Sequence, residues 1–367
     1  MHKVNAGIWY EDDDFGVARR YYATSVTDPR SPYEQQRDDW FQTDWDHDIN
    51  EETTQFHLQD TLQLAERLKL NVGFKSSKVK ITGQQVGGTA DRASGSFTSE
   101  KNFLPQISMN YRVNAQHELF AGAADNMRGV YNIFTDMTQA GFDAIKDTLE
   151  PETSRTYEAG WRYHGGNIEG LFSVYHVIFN DRLQSISVCP GILTCVSAIG
   201  NVGKVESTGA EAGINWKVTP KWAWYNALSV NSTEYKDDYY TGETLREVAG
   251  MQVVGVPKTM LKTELAYNDK GWFAKLGGVY QSERFYTYRN DASAPGYTLW
   301  NLGAGYRMKK VGMLEELALQ VNVTNLLDKE YIATVGTNGY AYDATGDLQT
   351  LQVGAPRQFF VNATAKF

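Results

Sequence analysis

The chain has 367 residues, 42% of them hydrophobic, with 44 Asp and Glu against 35 Lys and Arg, for a formal charge of −9. That acidic balance, with Lys and Arg scattered and forming no basic stripe, argues against nucleic acid as a partner. No run approaches the roughly 18 apolar residues of a membrane-crossing helix, while 22 Tyr, 16 Phe, 9 Trp and 33 Gly beside only 9 Pro favour strands and turns.

From the start of the chain the pattern has a period of two. Val4, Ala6, Ile8 and Tyr10 share one face opposite Lys3, Asn5 and Gly7. Leu68, Leu70, Val72 and Phe74 then oppose Lys69, Asn71, Gly73 and Lys75. Tyr157, Ala159, Trp161 and Tyr163 oppose Glu158, Gly160, Arg162 and His164, and Ala210, Ala212, Ile214 and Trp216 oppose Glu211, Gly213, Asn215 and Lys217. Leu261, Leu265 and Tyr267 follow, then Trp300, Leu302, Ala304 and Tyr306, and last Phe359, Val361, Ala363, Ala365 and Phe367. Such alternation fits strands with one oily and one polar face rather than helices.

The connections are of two kinds that take turns. Short ones carry turn residues: Ala65-Glu66-Arg67, Asn114-Ala115-Gln116, Gly165-Gly166, Thr219-Pro220-Lys221 and Asn268 to Gly271. Long ones cover about 13–50, 78–100, 127–152, 237–255, 285–296 and 326–356, more than a globular domain ordinarily needs. Short turns on one rim, long loops on the other and about fourteen alternating strands predict an all-β, transmembrane antiparallel β-barrel with periplasmic turns and extracellular loops. Glu158, Arg162, Glu211, Lys217, Lys262 and Arg307 then face a wet lumen, and no charge is left in hydrocarbon. Trp222, Trp224, Tyr163 and Trp272 near strand ends suit an interfacial aromatic belt. The alternatives are a passive porin or channel and a soluble β-sheet binding protein.

Three local features carry other chemistry. Cys189 and Cys195, in CPGILTC, lack nearby ligands for zinc, which favours a small disulfide-closed loop, with two free thiols as the alternative. Asp44, Asp46 and Asp48 take the first positions of a calcium loop, but Ile49 and Gln55 stand where glycine and a bidentate glutamate are needed, so no metal site is expected. Gly303 and Gly305 lie in an alternating strand without the helix a phosphate cradle requires, and no nucleophile or paired metal histidines appear, so no enzyme and no cofactor are expected.

Four stretches resemble the TonB-dependent outer-membrane transporters. They are LEPETSRTYEAGWRY from Leu149, NVGKVESTGAEAGINW from Asn201, VNVTNLLDKEY from Val321, and the closing GAPRQFFVNATAKF with Gly354, Pro356, Arg357 and Phe367 in place. In the second, Ala210 stands where the family more usually has a branched residue.

The resemblance implies a barrel of about 22 strands. Residues 1–367 are then its C-terminal two-thirds, N-terminally incomplete. HKVNAGIWYEDDDF after Met1 shows no signal peptide, and no plug domain or box for the energising partner is recognised. It also implies a place in the outer membrane of a Gram-negative bacterium. The function it implies is uptake of a ferric siderophore or similar scarce metal chelate, energised through the TonB complex.

The resemblance further makes outer-membrane lipid and the barrel assembly machinery partners, the latter reading Phe359, Val361 and Phe367 in the last strand. Loop arginines and aromatics suit an anionic chelate, because guanidinium pairs with carboxylate or catecholate oxygens and rings stack on flat chelates. The candidates are Arg19, Arg20, Tyr21 and Tyr22; Arg128, Tyr131 and Phe134; Tyr286, Tyr288 and Arg289; and Tyr340 and Tyr342.

Overall fold

The computed structural model describes residues 1–22, 40–131, 133–187, 197–241, 244–336, 339–345 and 350–367. Fourteen strands form one antiparallel sheet in which each strand pairs with its neighbours in the chain. They are β1 (His2–Tyr22), β2 (Trp40–Ala65), β3 (Leu68–Gly88), β4 (Gly95–Arg112), β5 (His117–Arg128), β6 (Glu152–Gly165) and β7 (Ile168–Asn180). Then come β8 (Val205–Thr219), β9 (Trp222–Tyr235), β10 (Thr259–Asp269), β11 (Trp272–Gln281), β12 (Tyr297–Val311), β13 (Leu314–Thr324) and β14 (Gln358–Lys366). β1 and β14 each have a single neighbour in the sheet.

The alternation reads directly onto the two faces of this wall. Ile8, Val174, Leu228, Leu261 and Val361 are exposed on the outer face, which is the reverse of a soluble sandwich and the arrangement of a barrel in lipid. At the short-turn rim Trp222 lies 4.8 Å from Tyr267 and Trp272 4.7 Å from Tyr306, the paired rings of an interfacial belt. The turns are as short as expected. Between β10 and β11, Lys270 and Gly271 both take positive φ (47° and 94°), the conformation that suits a two-residue hairpin in a right-twisted sheet.

Two expectations are corrected. Residues 13–22 and 40–50, read as loop, continue β1 and β2, and β3 and β4 fill most of 78–100. Here the outward positions are Asp12, Asp14, Asp48 and Glu52, so the oily face that marks a strand in lipid is missing while the backbone ladder runs on. The outward face also carries charge. Asp60, between Leu58 and Leu62, meets His2 Nδ1 at 2.8 Å, and Arg155 holds Asp125 through two contacts of 2.7 Å. Both are pairs, which lowers the cost of turning them away from the lumen.

Fully buried apolar residues lie mainly under the long loops. One cluster gathers Ile49, Ile81, Phe97, Ile133, Phe134 and Phe142 with the short helix α1 (Gln139–Ile145); the other gathers Val205, Tyr235, Tyr239, Val248, Val254 and Tyr288.

Candidate functional site: the loop-side mouth

Odd-numbered residues of β1 and β2 face the lumen, and on this face the loops fold inward. The segment after β5 lies over the inner wall of β2 to β4. The Val130 amide donates to Ser99 Oγ (3.1 Å), the Ala93 amide to the Met137 carbonyl (3.0 Å), and Ser94 N–H to Gln139 Oε1 (2.8 Å). Thr138 Oγ1 caps α1 by accepting from Gly141 N at 3.1 Å, and Phe142 turns inward against Phe134 with ring centroids 5.4 Å apart. Gly83 is the contact that lets Phe134 in, since a Cβ there would sit 2.3 Å from its ring. His47, fully buried, holds the Ala93 carbonyl through Nε2 at 3.0 Å. Burial raises the Asp136 carboxyl above its ordinary range.

A buried carboxylate joins this cluster to the next loop. Glu152, at the start of β6, accepts from Arg182 Nη1 (2.7 Å) and the Leu183 amide (2.9 Å), with Arg128 3.9 Å away. The hairpin Leu183–Ser187 with Ser197–Asn201 is thereby fixed against β6.

The second cluster is built on tyrosines. Tyr288 lies 5.7 Å from Tyr235, 5.3 Å from Tyr239 and 6.3 Å from Tyr340 between ring centroids. Tyr235 donates to Gln184 Oε1 at 2.9 Å, whereas the buried Tyr288 hydroxyl has no partner among the described residues. Burial pushes the Tyr288, Tyr239 and Tyr235 phenols above their ordinary value. Gly255 (φ +74°) lets Tyr340 close over the group, because a Cβ there would lie 2.4 Å from its hydroxyl.

The sequence-predicted residues divide between these cores and the rim. Phe134 and Tyr288 are wholly buried, so these two rings hold loops together and present no face to a ligand, while Tyr340 is half-buried and packs on the second cluster. Arg19 and Arg20 stand at the end of β1 rather than in a loop; Arg19 lies 3.9 Å from Asp44 and Arg20 3.1 Å from Asp46. Tyr21 lies beside Arg19, whose guanidinium is 5.6 Å from its ring, and Tyr22 ends the strand. Arg128 lies over Tyr131 at 4.4 Å and donates to its hydroxyl. Tyr342 carries Arg246 over its ring at 4.5 Å. Tyr286 is half-buried and Arg289 exposed. Phe359, Val361 and Phe367 are exposed on or just after β14. Cys189 and Cys195 lie outside the described residues.

Three features escaped the sequence reading. Below the mouth, Gln59, Asn71, Gln106, Asn110 and Arg162 line a luminal hollow of about 330 Å³, with Arg162 held by Glu118 at 2.8 Å and 4.0 Å over Phe120. Trp9 projects into the lumen at the mouth and is 58% exposed. Glu152 sits inside one of the recognised stretches yet acts as a buried clasp. Strand alternation was the available signal for Trp9 and for the luminal amides.

Fourteen antiparallel strands, oily outside and polar inside, with turns on one rim and folded loops on the other, define an outer-membrane β-barrel. Residues 2–326 match the model of the family described as TonB dependent receptor-like, beta-barrel, and the chain belongs to that family, one of receptors and not of enzymes. A probable TonB-dependent siderophore receptor, PiuA, of Acinetobacter baumannii is 23% identical over 316 residues, which cover 84% of this chain and 41% of that protein. The ferrioxamine B receptor of Salmonella typhimurium is 23% identical over 353 residues, 93% of this chain and 46% of that one. The solved ferric citrate transporter FecA, unliganded, superposes with a TM-score of 0.70 at 22% identity, over 100% of this chain and 51% of its own. This chain therefore spans less than half the length of these curated relatives.

Proposed function

We propose that this chain is the larger part of the barrel of an outer-membrane receptor that takes up a ferric siderophore or similar scarce metal chelate, energised through TonB. The observation that carries the reading is the family match over residues 2–326, on a wall whose loops fold inward over the lumen. The single neighbours of β1 and β14 support further strands beside them, since unpaired strand edges in lipid cost several kcal/mol for each unsatisfied group. The role of the protein is binding and gated passage, and no covalent step is involved. The chelate is cargo, not a resident cofactor. Lipid meets the outer face, and the assembly machinery reads Phe359, Val361 and Phe367.

The test is uptake of radioiron-labelled chelates by iron-starved cells expressing the receptor, with and without a working TonB. Uptake that needs both the receptor and TonB is expected. Passage that continues unchanged without TonB would identify a passive channel and defeat the proposal.

A further inference from the structure

The two charge pairs on the outer wall stand at different heights. Asp125, held by Arg155, is eight residues above the start of β5 and so lies near the outer headgroups. Asp60 lies deeper. Strands rise about 3.3 Å per residue and tilt by about 40°, so Asp60, five residues above the end of β2 at Ala65, stands about 13 Å into an apolar band about 25 Å tall. Tyr10, opposite Thr54, closes that band above, and the exposed Leu64 closes it below. Ionisable groups at such depth are costly in lipid and point to a polar partner.

The pair that Asp60 makes there is only half satisfied. His2 Nδ1 meets its Oδ2 at 2.8 Å, but Asp60 Oδ1 has no hydrogen bond and His2 makes none through Nε2 among the described residues. Two charges brought into hydrocarbon lose more hydration than their attraction returns unless further hydrogen bonds complete them. Val4, Ile8, Leu58 and Val72 are exposed around the pair and offer no donor. A strand added to the open edge of β1 continues the wall sideways and leaves this outer face uncovered.

We infer that this patch is where two copies of the receptor meet in the membrane. All copies share one orientation across the bilayer, so a two-fold axis along the membrane normal brings together residues of equal depth. Val4 stands directly opposite Asp60 in the ladder, and His2 opposite Leu62. With the axis between β1 and β2, each β1 faces the partner's β2 at those same levels. Each His2 then lies one diagonal from the partner's Asp60, as it does from its own. A ring protonated on both nitrogens donates through Nδ1 to its own carboxylate and through Nε2 to the partner's, which closes a neutral ring of two cations and two anions. Val4 and Leu58 surround that ring and keep lipid from it. An acyl chain has no donor to offer at this depth, so a second copy completes the pair where lipid does not. The inference concerns the wall and not the cargo, and it stands or falls independently of the uptake reading.

The test is cysteine crosslinking of the full-length receptor in its own outer membranes with a short bis-maleimide. Val4→Cys is expected to give a product of twice the receptor mass, and Leu228→Cys, exposed on the outer face of β9, to give none above the unaltered protein. Replacing the pair by H2L and D60L in the V4C background keeps the face apolar and should lower the dimer yield at least about fivefold, while the folded barrel keeps its heat-modifiable mobility. A V4C yield no higher than that of L228C, or one that H2L and D60L leave unchanged, overturns the inference. Crosslinking of V4C to a different protein, with no dimer, overturns it as well. Should the triple variant fail to fold, the comparison of V4C with L228C decides alone.

Discussion

The two clusters under the loops solve one problem with different chemistry. Each must hold long connections over a wall whose apolar side is turned to lipid, so neither can borrow a hydrophobic core from the barrel. The first uses mainly Ile, Val, Met and Phe around α1, with a few buried polar groups such as His47 and Ser99 bonded to its backbone. The second packs rings whose hydroxyls must also be accommodated: Tyr235 finds Gln184, while Tyr288 finds nothing. The first therefore depends on shape and the second on polar satisfaction, and substitutions in them differ in size and in sign.

The largest effect is expected from Phe134→Ala. The ring is fully buried against Phe142 and Gly83, and deleting it leaves a cavity costing about 3–5 kcal/mol. That exceeds what a seven-residue helix supplies by itself, so amides of α1 should lose hydrogen-exchange protection while those around Tyr288 keep theirs. Unchanged protection in α1 would show that its cluster is not the support described.

The contrast also shows what the sequence could reveal. Strand alternation placed the lower wall and most of its turns, because lipid on one side and water on the other impose a period of two. It failed where β1 to β4 rise clear of the membrane, since Asp12, Asp14, Asp48 and Glu52 sit where an oily residue would have marked the face. The loop cores were invisible for a related reason. Val248, Val253 and Val254 follow no period, and nothing in their order shows that they meet Tyr235 and Tyr288. Phe134 and Tyr288 were chosen as aromatic loop residues, and composition cannot tell a ring that faces a ligand from one that holds a loop shut.

A smaller, pH-dependent effect belongs to the second cluster. Asp238 Oδ1 accepts from the amides of Val248 (2.7 Å) and Ala249 (2.8 Å), fastening the chain where Val248 enters the core. The Ala249 and Val248 amides hold its carboxyl below the ordinary 3.8. A depressed carboxyl stabilises the fold above its unfolded value, and the contribution is lost as pH falls through the folded one. In Asp238→Asn the Val248 amide should exchange a few-fold faster than in the unaltered protein near neutral pH. The ratio of the two rates should approach one in acid, and a ratio independent of pH would remove the charge from this account.

The smallest change, and the one of opposite sign, is Tyr288→Phe. The hydroxyl is buried without a partner among the described residues, and desolvation on folding with no hydrogen bond in return costs about 1–3 kcal/mol. Removing one oxygen while keeping the ring preserves the contacts with Tyr235, Tyr239 and Tyr340 and leaves space for no more than a single atom. Stability of the second cluster, read from exchange of the Val253 and Val254 amides, should therefore stay level or rise by up to about 1 kcal/mol. The same pruning at Tyr235 should lower it, because Gln184 Oε1 then loses its donor. A loss at Tyr288 as large as that at Tyr235 would mean that the hydroxyl does have a partner, a buried water being the candidate, and that the second cluster leaves no phenol unsatisfied.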